Sequence, residues 1–462
     1  MTKDQPSQTP LTRRAALGAL AAAAAGYAAF GPRAGRSLEA RSGRIVLDYW
    51  EKWTRHEGDA MRTVVDAFNA SQTRIFVRYL VTADIGQKSM VAIAGGDPPD
   101  VIGLYAFNVP PYAQSGALVR LDALAAQRGM SLEQYSPGVR PVMRQAGAWW
   151  AVVNTCGSVA LYYNKALFRE VGLDPSRPPR TIDELDEMHK RLVVGGLGAG
   201  AAAEPLKRVG FFHREPGWWS WFWGYHFGGK VYDAASDVAT VGAPQNRAAF
   251  EWMQTYPRAL GVDRATRLQD GFGNYFTPEN PFLTGKVGMI VQGPWVANLV
   301  GAFKPDLDYG VAPFPVASGL VDAAAPIGLI DTDVLVIPRG AKHPEASMEF
   351  IAFTQRREMV ELLAKAHCKP SPLLDQSEDF IRTHPNRGIA VHDAITRSER
   401  AFIPPPTRVW QQFKDEFDTQ VQRMWRLEVE AGDALAALQP RAQALIDRAA
   451  SERRRRAAGG VA

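Results

Sequence analysis

The chain has 462 residues, 46% of them hydrophobic and 22% charged, enough for two or three domains' worth of core in a soluble globule. The formal charge is +5, but residues 1–40 hold five basic and two acidic side chains, and Arg453 to Arg456 add four arginines, so the body is close to neutral. Basic residues are interspersed with acids, which excludes a nucleic-acid-binding stripe. Two cysteines, Cys156 and Cys368, are too few for a metal cluster, and no HExxH sequence occurs. No metal and no cofactor are expected.

Residues 1–43 read as an export signal and linker. Thr12-Arg13-Arg14 precede an Ala/Leu-rich run, Ala15 to Ala25, with the small residues Gly26 and Ala28 beyond. An arginine pair ahead of a weakly apolar run predicts a twin-arginine (Tat-like) signal. Ala16 stands where a bulky residue is usual, so the Sec route stays open. The run is short for a membrane span, and no cysteine follows it, so a lipoprotein is not expected.

Ile45 to Trp50 alternates imperfectly and predicts a strand. Asp59 to Asn69 carries Met61, Val64, Val65 and Phe68 at helical spacing. Ile75 to Val81 is a second strand. Met90 to Ala94 is a short helix stopped at Gly95-Gly96, followed by the turn Asp97 to Asp100. The apolar strand Val101 to Leu104 then ends on Tyr105 and Asn108, before a short helix from Pro110 to Ser115. This βαβ alternation predicts an open α/β sheet with ligand near the carboxyl ends of its strands, hence near Tyr105.

Trp149 to Lys165 is a long extended run whose polar centre, Asn154 to Ser158, suits a strand leaving one lobe for another. Thr181 and Glu184 form a capping box for the next helix. Gly195 to Ala203 is a Gly/Ala linker; its GxG lacks the preceding strand and the lysine that phosphate binding requires. Lys286 to Trp295 is a buried strand closed by Gly-Pro-Trp, and Tyr309 to Pro315 a candidate crossing strand. Asp333 to Pro338 is a strand, Pro344 to Thr354 a helix, and Lys369-Pro370 a break. Trp410 to Ala449 is helical, and residues 451–462 are expected to be a disordered basic tail. Crossings between lobes are expected near 153–158, 311–316 and 366–371.

The segments AFNASQ, AIAGGDPPDV, YAQSGALVRLD, LYYNKALFREVGLDP, GKVGMIVQGPW, YGVAPFP and VIPRGAKHPEASMEFI, in this order, resemble family 1 of the extracellular solute-binding proteins. These are the sugar-capturing components of ATP-binding cassette (ABC) importers and include maltose-binding protein. The resemblance implies the type II periplasmic-binding-protein fold: two lobes, each a discontinuous α/β sheet domain, joined by three hinge crossings. The N-terminal lobe is expected at 44–153 with 316–366, and the C-terminal lobe at 154–315 with 367–450. It also implies a periplasmic, monomeric, non-enzymatic receptor that delivers a sugar or oligosaccharide to ABC permease subunits, with no nucleic acid as partner.

A sugar presents hydroxyl rims and apolar C–H faces, so its site needs aromatic plates beside carboxylates and amides. Glu215 to Gly229 supplies both. Trp218 and Trp219 are expected to face the cleft, and Trp221 and Trp223 to pack inward. By resemblance, Trp218, Trp219 and Trp295 stack on sugar, and Glu215, Glu57 and Asp331 are polar contacts. Tyr105, Asn108, Asp84 and His367 complete the candidate set. Glu57 and Asp84 serve equally well as acids at helix starts, and His367 as a structural histidine. Cys156 and Cys368 fall in the first and third crossings, which gather at one waist, so a disulfide between them is expected. The alternative functions are an exported carbohydrate-active enzyme, or the same fold holding a polyamine or phosphate ester.

Overall fold

The computed structural model describes residues 43–198 and 204–458. The export signal, residues 199–203 of the Gly/Ala linker and the last four residues lie outside the described residues.

The elements follow the periodicity of the chain. Strand β1 (Ile45–Glu51) leads through helix α1 (Arg55–Ser71) to β2 (Ile75–Val81), and α2 (Ile85–Ala94) leads to β3 (Val101–Tyr105). Met61, Val64, Val65 and Phe68 form the buried stripe of α1, the spacing that puts one helix face on a sheet. Strands β4 (Val152–Thr155) and β5 (Ala160–Asn164) divide the long extended run. Helix α3 (Ile182–Leu192) starts on the Thr181–Glu184 capping box. Then come β6 (Val209–Phe211), α4 (Pro244–Leu260), β7 (Val287–Gln292) and β8 (Tyr309–Ala312). The chain continues through β9 (Gly328–Leu329), β10 (Asp333–Val336), α5 (Pro344–Thr354) and α6 (Arg357–Ala366). It ends with α7 (Ile389–Arg397), β11 (Ala401–Phe402), α8 (Trp410–Trp425) and α9 (Ala431–Ala458).

Two sheets result. The first has the order β2-β1-β3-β10-β4; β1 is parallel to β2 and β3, and β10 is antiparallel to β3 and β4. The second has the order β8-β5-β7-β6. Helices α5 and α6 cover the first sheet beside α1, and α8 and α9 pack on α4 of the second lobe. Covered on both faces, the central strands are continuous apolar runs: all of β7 and the first four residues of β3 are buried.

The lobes are joined by paired strands. The first crossing runs from Thr155 to Ala160 and lies antiparallel to the second. Val159 N–H donates to Leu329 O at 2.9 Å, Asp331 N–H donates to Gly157 O at 2.9 Å, Ser158 bridges Ile330, and Thr155 pairs with Asp333. The second crossing is therefore at 328–333, not at the expected 311–316. Val316 N–H donates to Arg180 O and Ala317 N–H to His226 O, which keeps that segment on the second lobe. An apolar strand ending in prolines marks where pairing stops, not which lobe the chain joins next.

The third connection is longer than the expected 366–371. After Cys368 the chain turns back to the first lobe, where Leu373 bridges Tyr135 and Ser377 bonds to Glu361. It crosses through α7, whose His392 bonds Tyr162 Oη at 2.7 Å and Ser158 Oγ at 3.0 Å. Burial lowers the His392 pKa to about 3, so the ring is neutral and offers one donor and one acceptor. Strand β11 then pairs in parallel with β9.

Two further expectations are corrected. Helix α9 continues to Ala458, so the stretch from 451 is ordered helix as far as that residue. Buried Ala442, Ile446 and Ala449 hold it down, and Glu452 pairs with Arg408 at 3.0 Å. Cys156 and Cys368 are buried free thiols rather than a disulfide. Cys156 Sγ lies 3.5 Å from Thr396 Oγ1 on α7, and the Cys368 thiol donates to Asn298 Oδ1 at 3.0 Å; the two thiols serve different elements. Among the described residues no helix is long and apolar enough to cross a membrane.

Burial pushes the Cys156 thiol up to about 12 and the Cys368 thiol up to about 11, and the thiolate is the reactive form. Thiol titration at pH 8 should therefore find both cysteines in the unfolded, unreduced protein and almost none on the same time scale in the native one.

Candidate ligand-binding site

The carboxyl ends of β1, β3 and β4 and the start of antiparallel β10 meet at one edge of the first sheet, and charge is buried there. Asp333 takes Lys369 Nζ on Oδ2 at 2.8 Å and Lys52 Nζ on Oδ1 at 2.9 Å. Thr155 Oγ1 donates to the same Oδ2 at 2.8 Å. Lys52 also reaches Glu51 Oε1 at 3.1 Å, and Tyr49 Oη donates to Glu51 Oε2 at 2.6 Å. A side chain on Gly103 of β3 would collide with the Glu51 carboxylate, so glycine there leaves room for a buried acid. Burial works against ionising Asp333, but Lys369 and Lys52 overcome it and hold its pKa below the usual carboxylate range. Burial likewise opposes the charge on Lys52, and Asp333 and Glu51 outweigh it.

Above this floor lies a cavity of about 620 Å³ between the lobes, a volume typical of small-molecule sites. The first lobe supplies Trp53, Glu57, Tyr105 and Phe107 to its wall, with Asp331, Asp333 and Lys369 from the crossings. Tyr105 and Phe107 are stacked, with centroids 5.3 Å apart and planes 7° apart. Lys52 Nζ lies 4.6 Å from the Tyr105 ring centre and 5.0 Å from that of Trp53, within cation–π range.

The second lobe supplies the main aromatic wall. Trp218, Trp219 and Trp295 meet with centroids 5.5, 6.4 and 6.2 Å apart. Trp218 remains 42% exposed although its neighbours in the cluster are far more covered, leaving indole surface open. Trp295 is oriented locally: its Nε1–H donates to Gln292 Oε1 at 3.0 Å, and its ring lies where a side chain on Gly293 would stand. Trp219 Nε1–H donates to Asp331 Oδ2 at 3.3 Å. Burial, then the charge of Asp333, pushes the Asp331 carboxyl up to about 6, against the lowering by Lys369, Trp219 and Lys52. Trp221 and Trp410 pack edge to face at 4.9 Å and close the wall with Gln411 and Lys414.

Residues 52–360 match the family of bacterial extracellular solute-binding proteins. The chain belongs to that family. It is 23% identical over 340 residues to a maltotriose-binding protein of Pyrococcus abyssi, a match covering 71% of this chain and 66% of that protein, just under two thirds. It is 25% identical over 295 residues to the diacetylchitobiose-binding protein DasA of Streptomyces coelicolor, covering 61% of this chain and 62% of DasA. The fold matches CpMnBP1 solved with mannobiose bound, with TM-score 0.72, 22% identity, and coverage of 86% of this chain and 100% of that one. It also matches the cyclic alpha-maltosyl-1,6-maltose binding protein of Arthrobacter globiformis, with TM-score 0.69, 19% identity, and coverage of 87% and 99%. The architecture is thus the two-lobed fold of periplasmic binding proteins.

Of the residues expected at the site, this solute-binding protein brings Glu57, Tyr105, Trp218, Trp219, Trp295 and Asp331 to the one cavity. Glu215 lies behind the tryptophan wall, where burial alone pushes its carboxyl up to about 7. His367 sits behind Trp53, edge to face at 4.6 Å, and bonds the Glu57 backbone oxygen at 3.1 Å. Burial lowers its pKa to about 3. Asp84 stands at the N-cap of α2 with φ 52 and no side-chain cap bond, and Asn108 packs its amide against Gly86 of the same helix; neither lines the cavity. Trp223 packs inward as expected, whereas Trp221 is buried yet contributes to the wall.

Trp53, Asp333, Lys369 and Trp410 were not among the expected residues. Trp53 lies two residues beyond β1, so the carboxyl-end rule that singled out Tyr105 covers it too. Lys369 is legible in sequence only as a break before proline, and Trp410 only as an apolar helix position. A second inter-lobe cavity of about 700 Å³ lies between residues 144–146 and α9. Two of its arginines, Arg408 and Arg453, pair with Glu452 and Asp237, and none of the expected site residues reaches it.

Removing one partner from a buried ion cluster strands the others, at a cost of about 3–5 kcal/mol. Asp333→Ala should lower unfolding stability by about that amount, measured by urea denaturation at pH 7. Asp331 should behave oppositely. Its folded pKa is raised from 3.8 to about 6, so its contribution is present below pH 3.8 and lost as pH rises through 6. Asp331→Asn should match wild type near pH 4 and be more stable by about 2–3 kcal/mol near pH 7.5. The groups facing Asp331 are Asp333, Lys369, Lys52 and Trp219. If thermal melts across that range give parallel curves, Asp331 is not the strained carboxylate described.

Proposed function

We propose that this chain is the substrate-binding component of an ABC importer, capturing a sugar or oligosaccharide between its two lobes and presenting it to permease subunits. The supporting observation is the wall of Trp218, Trp219 and Trp295 facing a floor of carboxylates and ammonium groups across the 620 Å³ cavity. Indole faces suit the C–H faces of a pyranose, and the charged floor suits its hydroxyl rim. The relatives named for maltotriose and diacetylchitobiose, and the mannobiose-bound structure of matching fold, favour the same class of solute.

The protein acts as a monomer and without turnover: it binds, closes by bending at the paired crossings and releases. Export by the twin-arginine or Sec route brings it to the periplasm. Titration calorimetry against manno-, malto- and chito-oligosaccharides should give saturable binding for at least one series, with the saccharide recovered intact. Trp218→Ala and Trp295→Ala should each weaken that binding by about 1–3 kcal/mol, roughly 5- to 150-fold. Hydrolysis, or the absence of binding to any saccharide by the folded protein, would overturn the assignment.

A further inference from the structure

The charge balance of the cleft points to a particular kind of solute. Both lysines of the floor are committed: Lys369 to Asp333 and Thr155, and Lys52 to Asp333 and Glu51. Lys414, at the rim, is held by Asp418 at 2.5 Å. Among the described residues, no cation lining the cavity is therefore left for a phosphate or a carboxylate.

The acids are not balanced in the same way. Glu57 and Asp331 line the cavity, and among the described residues neither has a cation within ion-pairing distance. Asp331 accepts one bond, from the Trp219 indole. Glu215 is likewise unpaired and lies just behind Trp219. The Tyr275 hydroxyl is buried without a partner. Its ring packs on Trp218 at 5.1 Å, and its environment is made negative by Glu57 and Glu215. The aromatic faces divide similarly. Lysines of the protein lie over Tyr105, Trp53 and Trp295, but among the described residues none lies over Trp218 or Trp219.

Glu57 and Asp331 are half-buried, and a carboxylate partly withdrawn from water without a cation is costly. Open indole faces beside such carboxylates attract a cation, and an ammonium would relieve both. We propose that the preferred solute carries a protonated amine: an amino sugar, or an oligosaccharide containing one, with its ammonium held by Glu57 and Asp331 and its ring on Trp218 and Trp219. This inference rests on the saccharide assignment above and narrows it.

Calorimetry at pH 7 on the folded chain tests it with four probes: the β-1,4 disaccharide of glucosamine, its N,N′-diacetylated form, maltose and spermidine. Acetylation removes the charge and keeps the ring. The glucosamine disaccharide should bind at least about tenfold tighter than the acetylated form and maltose. Asp331→Asn and Glu57→Gln should each reduce that preference by about tenfold, while thermal melts show that both variants remain folded. Equal or tighter binding of the acetylated or neutral disaccharide would overturn the amine inference and leave the saccharide assignment standing. A preference that survives both substitutions would overturn the assignment of the ammonium to these acids. Binding of spermidine with no saccharide bound would overturn both the inference and the proposed function.

Discussion

The Asp333 carboxylate joins the three connections between the lobes to the end of β1. It stands at the end of the second crossing, takes Thr155 from the end of β4, where the first crossing begins, and Lys369 from the third, and reaches Lys52 beyond the end of β1. A single buried anion between two ammonium groups is expensive to desolvate and affordable only when its geometry is nearly complete. That requirement pins the three connections to one edge of the first sheet. Since the same edge is the floor of the cleft, the hinge and the binding surface share one set of charges.

This arrangement decides what the cleft offers a solute. The ammonium groups that could have met an anion are spent on structure, while Glu57 and Asp331 remain available. The second lobe adds little charge and much aromatic surface, with its tryptophans oriented through Gln292, Gly293 and Asp331 itself. The raised pKa of Asp331 reflects a carboxylate withdrawn from water beside a second acid, where ionisation is opposed.

Beyond the Asp333 cluster, the crossings are held by neutral hydrogen bonds and apolar packing. His392 links Ser158 and Tyr162 to α7 without carrying charge. The two cysteines sit at the crossings as thiols bonded to different partners. The first crossing and the third are thus tied through the Thr155–Asp333–Lys369 contacts and not through a disulfide.

By itself the sequence determined the elements and the class of fold. The stripe of α1, the capping box of α3, the buried run of β7 and the Gly-Pro turns depend on neighbours within a few residues, and local sterics and burial suffice to specify them. It also made Tyr105 legible as a cleft residue from its place beyond a strand end, and Trp218, Trp219 and Trp295 through the family resemblance of the segments that carry them. Only the tertiary structure decided that the second crossing lies at 328–333, that Cys156 and Cys368 do not meet, and that Asp84 and Asn108 turn to α2 rather than to the cavity. It alone also decided that Lys369 and Asp333, 36 residues apart, form the floor with Lys52. These outcomes depend on which strand ends meet across the two lobes, and on whether a buried charge finds its counter-ion there. Pairings between distant segments are set by the packing of the whole chain, and no local spacing encodes them.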